Sequence, residues 1–254
     1  MSFKIKSYEK PKLKNPILIE GLPGMGNVGK IAVDFMIEHM QAKKFIEISS
    51  HNFPNSVFVN EKNLIELPKI AMYYKNTKDN SIMFLAGDVQ PTDEKSCYAF
   101  CEEILDVVEK YKAIEVITLG GIGLPENPKK PAVYKTGNDR KLIDKYKAKQ
   151  VSTSLYGFVG PIIGVSGVLL GLSAERKIPA ISFLAETFGH PNHLGVKGAR
   201  EILDVLNKNL NLKLNLKELD VEILGIEDDA ELEKDFLKKI KQFPLQRKDT
   251  TYIG

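Results

Sequence analysis

Residues 16–30 have the sequence PILIEGLPGMGNVGK, which predicts a strand, a turn and the start of a helix. Its first five residues form a short apolar run that stops at Gly21, which is typical of a buried strand. A glycine-rich turn follows, and apolar residues then recur at helical spacing: Val28, Ile31, Ala32, Phe35, Met36 and Met40. A second apolar run at Phe45–Ile48 predicts another strand. The sequence therefore predicts a βαβ unit, with parallel pairing of its two strands and a right-handed crossover.

The remainder of the chain continues the alternation of strands and helices. Between residues 57 and 74 three short β-like runs indicate an antiparallel meander at a sheet edge, so the sheet is predicted to be mixed. Further strands are predicted at Ile82–Ala86, Ile114–Leu119 and Ala180–Ala185, with helices between them. Pro125–Asn138 is polar and contains three prolines, which predicts a long loop. The predicted fold class is α/β.

The domain organisation follows from a change in composition near residue 210. Residues 1–210 are predicted to form the α/β core domain. Residues 211–254 are predicted to form a C-terminal helical appendage, in which Leu232, Phe236, Leu237 and Ile240 make one amphipathic face and the last residues form a flexible tail.

Composition excludes several classes of protein. The 254 residues carry 36 Lys and Arg against 33 Asp and Glu, a balance that does not favour a nucleic-acid partner. Two cysteines and a start without an apolar signal segment predict a cytoplasmic protein rather than a disulfide-rich secreted one. Residues 151–174 are uncharged and long enough to span a membrane, but five glycines and a proline interrupt them. A buried strand, turn and helix are predicted there instead.

The glycine-rich turn fits the spacing of a dinucleotide-binding loop. Gly24, Gly26 and Gly29 lie between a strand and a helix, and Glu47 follows 18 residues beyond Gly29, near the end of the next strand. Such glycines let the backbone approach a pyrophosphate, and the carboxylate can hold a ribose hydroxyl. The same glycines are also explained by a tight turn and close packing of helix on strand. The segment also approximates a P-loop, but Ile31 stands where a Mg²⁺-binding Ser or Thr is required.

A second set of residues could be assembled into a hydrolase triad. It would combine Ser166 with His190 or His193 and with Asp88 or Asp93. Simple packing explains Ser166 as well, because Gly160, Gly164, Gly167 and Gly171 recur at intervals of three and four, as on one helix face.

Three polar or reactive side chains have structural explanations. Asp93, or Thr92 beside it, suits the N-cap of the next helix. Cys97 and Cys101 lie four residues apart on an apolar helix face, which predicts buried packing. No metal site and no cofactor are predicted.

Two glycine-rich segments together resemble the proteasome assembly chaperone family, in its archaeal branch. They are GLPGMGNVGK at residues 21–30 and GFVGPIIGVSGVLLG at residues 157–171. The Leu119-Gly-Gly121 strand end and the helix over residues 199–206 agree with the same family, so the likeness covers most of the chain.

The resemblance implies a fold, a function and a set of partners. The expected fold is a three-layer α/β/α sandwich similar to the nucleoside phosphorylase type. The expected function is that of a non-enzymatic chaperone, which forms a homo-oligomer and binds proteasome α-subunits. It also implies that the glycine loops are structural.

The resemblance further implies a role for the C-terminal residues Tyr252, Ile253 and Gly254 in binding the partner. Family members that dock in α-ring pockets end in a hydrophobic residue, a tyrosine and any last residue. In this chain the tyrosine is third from the end. The tail therefore departs from the family pattern by one position.

Overall fold

A computed structural model describes residues 3–147, 151–152, 160–221, 223 and 225. The chain divides into two units, Met1–Leu214 and Asn215–Gly254. In the second unit, residues 217–221 are helical. The amphipathic segment predicted around residues 232–240 lies outside the described residues. Within the described parts of the chain, no helix is both long and apolar enough to cross a membrane.

The first unit contains eleven described strands and five described helices. The strands are β1 (Lys4–Ser7), β2 (Ile17–Glu20), β3 (Lys43–Ser49), β4 (Phe58–Val59), β5 (Ile65–Glu66), β6 (Ile70–Asn76), β7 (Ser81–Gly87), β8 (Glu115–Leu124), β9 (Val133–Gly137), β10 (Val151–Ser152) and β11 (Ala180–Phe188). The helices are α1 (Val28–His39), α2 (Glu94–Lys110), α3 (Arg140–Lys145), α4 (Val165–Glu175) and α5 (Val196–Leu210).

Nine strands form one mixed sheet in the order β1-β3-β6-β7-β2-β8-β11-β9-β10. The central strands β7, β2, β8 and β11 pair in parallel, whereas β1, β3 and β6 pair antiparallel on one side. Strand β2 is buried along its whole length, as its uninterrupted apolar run indicates for a strand covered on both faces.

Helices cover both faces of this sheet. Helices α2 and α4 pack against each other, and their apolar residues join Leu18, Val116 and Ala180 of the sheet in one core cluster. Helices α1 and α5 pack against each other and on the central strands. The predicted three-layer α/β/α sandwich with a mixed sheet is confirmed.

The predicted pairing of the first two strands of the βαβ unit is wrong. Strand β3 pairs antiparallel with β1 and β6, and both β6 and β7 lie between β3 and β2. The local pattern defines strand, helix and strand, but later strands of the chain fill the place beside β2.

Three other predictions require correction. The meander is split, because β4 and β5 form a separate two-stranded sheet while β6 lies inside the main one. The loop predicted at Pro125–Asn138 contains β9, which pairs antiparallel with β11. Helix α4 begins after Gly164, so Gly160 and Gly164 precede the helix instead of lining its face.

Candidate binding site

The two glycine-rich segments meet at the carboxyl ends of β2 and β8. These strands are neighbours in the sheet, but the chain leaves β2 toward β3 on one side and leaves β8 toward β9 and β11 on the other. Ligands of open α/β sheets bind at such a switch point. A cavity of about 490 Å³ lies there, between the loop after β2 and the segment that leads into α4.

The lining of this cavity is mostly apolar. Among its described residues are Leu22, Met25, Ile163 and Leu184, with polar side chains only from Gln90 and Ser166. Every lining residue the structure describes is uncharged. Met25 is 46% exposed and Ile163 is 83% exposed, so the rim is apolar as well. The cavity suits an apolar group that also accepts or donates a hydrogen bond.

Gly29 shows what the glycine-rich turn does in the fold. A Cβ atom added at Gly29 would lie 2.3 Å from the carbonyl oxygen of Leu119 in β8, which is closer than real Cβ contacts allow. The missing side chain therefore lets α1 approach the sheet. Gly24 differs, because a Cβ there would meet nothing nearer than 4.0 Å and the residue lines the cavity.

Gln90 joins the two glycine-rich segments. Its Nε2 donates to the carbonyl oxygen of Pro23 at 2.6 Å, and its Oε1 accepts from the backbone N–H of Val165 at 3.1 Å. Gly164 has a φ of +82°, and a Cβ there would lie 2.6 Å from Gln90 Oε1. The amide of Gln90 thus holds the loop after β2 against the start of α4. Sequence analysis missed this role, although Gln90 lies within three residues of the candidate Asp88 and Asp93.

Glu20 is a fully buried carboxyl group at the end of the central strand. Its Oε1 accepts from the backbone N–H of Leu22 at 3.0 Å, and its Oε2 accepts from Ser166 Oγ at 2.9 Å. Burial raises the pKa of Glu20 from 4.5 to about 7, even though both hydrogen bonds lower that pKa. The carboxyl group therefore links the second segment to the first from beneath the cavity. Sequence analysis missed Glu20, for which the only signal is its position at the end of an apolar strand.

The structure does not bring the residues of the dinucleotide prediction together. Gly24 and Gly29 line the cavity, and Gly26 lies against Thr187. Glu47 is absent from the lining, and its carboxylate pairs with Lys44 Nζ at 2.6 Å on β3. That ion pair lowers the pKa of Glu47.

The hydrolase triad is not assembled either. Ser166 Oγ donates to Glu20 rather than to a histidine, and the His190 ring stacks on Phe188 at 5.6 Å. Asp88 accepts from the backbone N–H of Lys69 at 3.0 Å. Asp93 caps α2 by accepting from the N–H of Ser96 at 3.0 Å, as predicted.

The remaining candidates are placed as follows. Cys97 and Cys101 are free and buried, which confirms their predicted packing role. In the described part of the chain, no group of three or more His, Cys, Asp or Glu side chains could hold a metal ion. Tyr252, Ile253 and Gly254 lie outside the described residues.

The sequence profile of the PAC2 family matches residues 18–231, a range that contains both glycine-rich segments and the whole cavity lining. The chain belongs to the PAC2 family. The resemblance to the archaeal branch of the proteasome assembly chaperones is thereby confirmed at the level of the family.

Individual PAC2 relatives share nearly the full length of the chain. The crystal structure of Pyrococcus furiosus PbaB, an archaeal proteasome activator, is 31% identical, with a TM-score of 0.81 over 94% of this chain and 98% of that chain. Uncharacterized protein MJ1210 of Methanocaldococcus jannaschii is 30% identical over 99% of this chain and 96% of that protein. Pyrococcus furiosus PbaA, an archaeal homolog of proteasome-assembly chaperone, shares the fold at 24% identity, with a TM-score of 0.76 over 94% of each chain.

Proposed function

We propose that this PAC2 protein is a non-enzymatic assembly chaperone that binds proteasome α-subunits as a homo-oligomer. The observation that carries the proposal is the 31% identity with PbaB, an archaeal proteasome activator, over 94% of this chain and 98% of that one. A similarity that spans both chains relates whole domains rather than one shared motif. The proposal extends a proteasome-related role from PbaB to this chain.

The contacts of the candidate catalytic residues support a binding role. The Ser166 hydroxyl is engaged by the Glu20 carboxyl group, and Gly29 serves the close approach of α1 to β8. The cavity presents an apolar rim through Met25 and Ile163. Exposed apolar side chains around a recess suit a protein surface better than a charged substrate.

The tail belongs to the same proposal. Tyr252, Ile253 and Gly254 would contribute to the contact with the α-subunit, because aromatic side chains such as that of Tyr252 are frequent anchors of protein interfaces. Arg247 and Lys248 add positive charge to the segment that precedes them.

Native mass spectrometry of the full chain mixed with proteasome α- or β-subunits from the same source tests both parts. A stoichiometric complex with α-subunits is expected. Deleting residues 250–254, or changing Tyr252→Ala, should weaken that complex about tenfold or more, as loss of an anchor residue does. Thr250→Ala is the matched control and should bind as the wild type does. Equal binding by the deletion variant would contradict the tail assignment alone, whereas absence of any α-subunit complex would contradict the chaperone proposal.

A second candidate function is a nucleotide- or phosphate-binding enzyme that uses Gly24, Gly26, Gly29 and Glu47. The observation in its favour is the cavity at the switch point, with Gly24 and Gly29 in its lining. Against it stand the uncharged lining and the position of Glu47 on β3. A ligand at 100 times its dissociation constant stabilises the folded state by about 2.7 kcal/mol. Thermal unfolding with NAD⁺, nucleoside phosphates and inorganic phosphate should show no such stabilisation, and a clear rise in the midpoint would favour this candidate.

A further inference from the structure

Strands β4 and β5 form a hairpin that stands apart from the main sheet. Val59 is paired with Ile65, and Phe58 is paired with Glu66. Paired residues of an antiparallel ladder point to the same face, and neighbours along a strand alternate. Val59 and Ile65 therefore share one face, and the adjacent Val57 and Leu67 extend it. We call these four residues the aliphatic face.

All four residues of the aliphatic face are exposed in the single chain. Val57 is 52% exposed, Val59 63%, Ile65 72% and Leu67 69%. The opposite face is mixed, because Asn60 Nδ2 donates to Glu66 Oε1 at 2.7 Å beside Phe58. A two-stranded hairpin is at best marginally stable in water unless its apolar face is covered. The aliphatic face therefore needs a partner surface.

A groove of about 810 Å³ continues from the aliphatic face. Val57 and Leu67 line this groove as well as belonging to that face, and Phe53, Pro54 and Pro68 add further apolar lining. The four side chains of the aliphatic face present on the order of 400 Å². That is about half of the roughly 800 Å² that each partner buries in a standard interface, and the apolar lining of the groove adjoins it.

The charges around the hairpin favour a second copy of this chain as the partner. Lys69 pairs with Glu66 at 3.3 Å, and both side chains remain about half exposed. Glu61 and Lys62 lie at the exposed turn of the hairpin. A rim with both signs, around an apolar face, is self-complementary under a two-fold axis, where each acid can meet a base. A partner surface of one dominant sign would meet repulsion on half of this rim.

We propose that the hairpin of residues 57–67 is the self-association surface, packing its aliphatic face against the same face of a second copy. This inference deepens the homo-oligomer part of the proposed function by naming its surface. It makes no use of the C-terminal tail or of the cavity.

Sedimentation velocity of the purified full chain over a range of concentrations tests the proposal without any proteasome subunit. The variants are Ile65→Lys and Val59→Lys. In a two-fold interface each substitution introduces two lysines, one from each copy. The dissociation constant of the dimer should therefore rise about 100-fold or more. Ile65 is exposed in the single chain, so circular dichroism and the thermal midpoint should show that the variant is folded.

Ile114→Lys is the matched control, because Ile114 is an exposed isoleucine, 41% accessible, next to β8 and away from the hairpin. This variant should associate as the wild type does. Unchanged association of Ile65→Lys would overturn the proposal. A wild-type chain that remains monomeric up to about 100 μM would also overturn it, because no self-association would then be left for the hairpin to carry. Binding of Ile65→Lys to α-subunits, measured separately, reports on the proposed function independently.

Discussion

Replacing Glu20 by glutamine should stabilise the protein at neutral and alkaline pH. Burial raises the pKa of Glu20 from 4.5 to about 7, so the folded state holds the proton more tightly than the unfolded chain does. The stability that this proton contributes is fully present below pH 4.5 and is lost as the pH rises through 7. Each tenfold difference in proton affinity corresponds to about 1.4 kcal/mol, so ionising Glu20 costs the folded state about 3 kcal/mol. Glutamine keeps an acceptor for the N–H of Leu22 and a polar partner for Ser166, without the charge.

Urea unfolding of the wild type and Glu20→Gln at pH 5, 6, 7 and 8 measures this effect. The free energies of unfolding should be similar at pH 5, and the variant should be more stable by about 3 kcal/mol at pH 8. Asp93→Asn is the control, because the pKa of Asp93 is shifted in the opposite direction from that of Glu20. Its hydrogen bonds with Ser96 lower the pKa of Asp93 below 3.8, so this group changes its charge outside the range of pH 5–8. A difference between wild type and Glu20→Gln that is constant over this range, or that favours the wild type at pH 8, would refute the reasoning.

Four further substitutions test contacts of the site and of the sheet by chemical unfolding. Gly29→Ala should destabilise the fold by about 3 kcal/mol or more, because the new Cβ would press on a backbone carbonyl. Gly171→Ala in α4 is the control. Its new Cβ would meet nothing within 4 Å, so this change should stabilise the fold by about 0.5–1 kcal/mol. Equal effects of the two changes would contradict the packing argument. Gln90→Ala removes both hydrogen bonds between the glycine-rich segments and should cost about 1–3 kcal/mol, and a cost near zero would mean that they do not hold the loops. Tyr146→Phe removes a donor from the buried Glu115 carboxylate and should cost about 1–3 kcal/mol, with an unchanged midpoint arguing against that contact.

The sequence predicted single strands and helices better than it predicted which strands lie side by side in the sheet. The apolar run of β2, the helical spacing of α1 and the N-cap of α2 are local signals, and the structure has all three. Strand order is a property of the whole chain, so nothing within the βαβ unit shows that β6 and β7 lie between β3 and β2. A local pattern determines what an element is, whereas its place in the sheet depends on segments that come later.

Two missed strands illustrate the limits of periodicity. Every residue of β1 is exposed, so its Lys-Ile-Lys-Ser sequence shows no alternation of buried and exposed positions. Strand β9 follows a proline-rich stretch and pairs with β11, which comes more than forty residues later. Both strands form because a neighbouring strand offers free backbone hydrogen-bonding groups.

The site is held by hydrogen bonds between residues far apart in the chain, and the spacing of residues in the sequence does not reveal such contacts. Ser166 meets Glu20 across 146 positions of sequence, and Gln90 meets Val165 across 75. Each of these polar residues has an ordinary surface explanation when only its sequence neighbours are considered. The fold brings them together because two glycine-rich segments converge at the switch point between β2 and β8.

Glycines at this spacing can make room for a ligand or for close packing of the protein itself. The atoms that an added Cβ would meet distinguish the two cases. A glycine that makes room for a ligand leaves open space where its Cβ would stand, whereas the Cβ of a glycine that makes room for the fold would meet the protein's own atoms. Gly29 meets the carbonyl of Leu119 at 2.3 Å, and Gly26 meets Thr187 at 2.7 Å, while Gly24 alone of the three is open. A pyrophosphate needs several such open positions along one turn. The same spacing that predicts a nucleotide loop therefore serves here mainly to bring α1 onto the sheet, which leaves the exposed apolar surfaces as the features that need a partner.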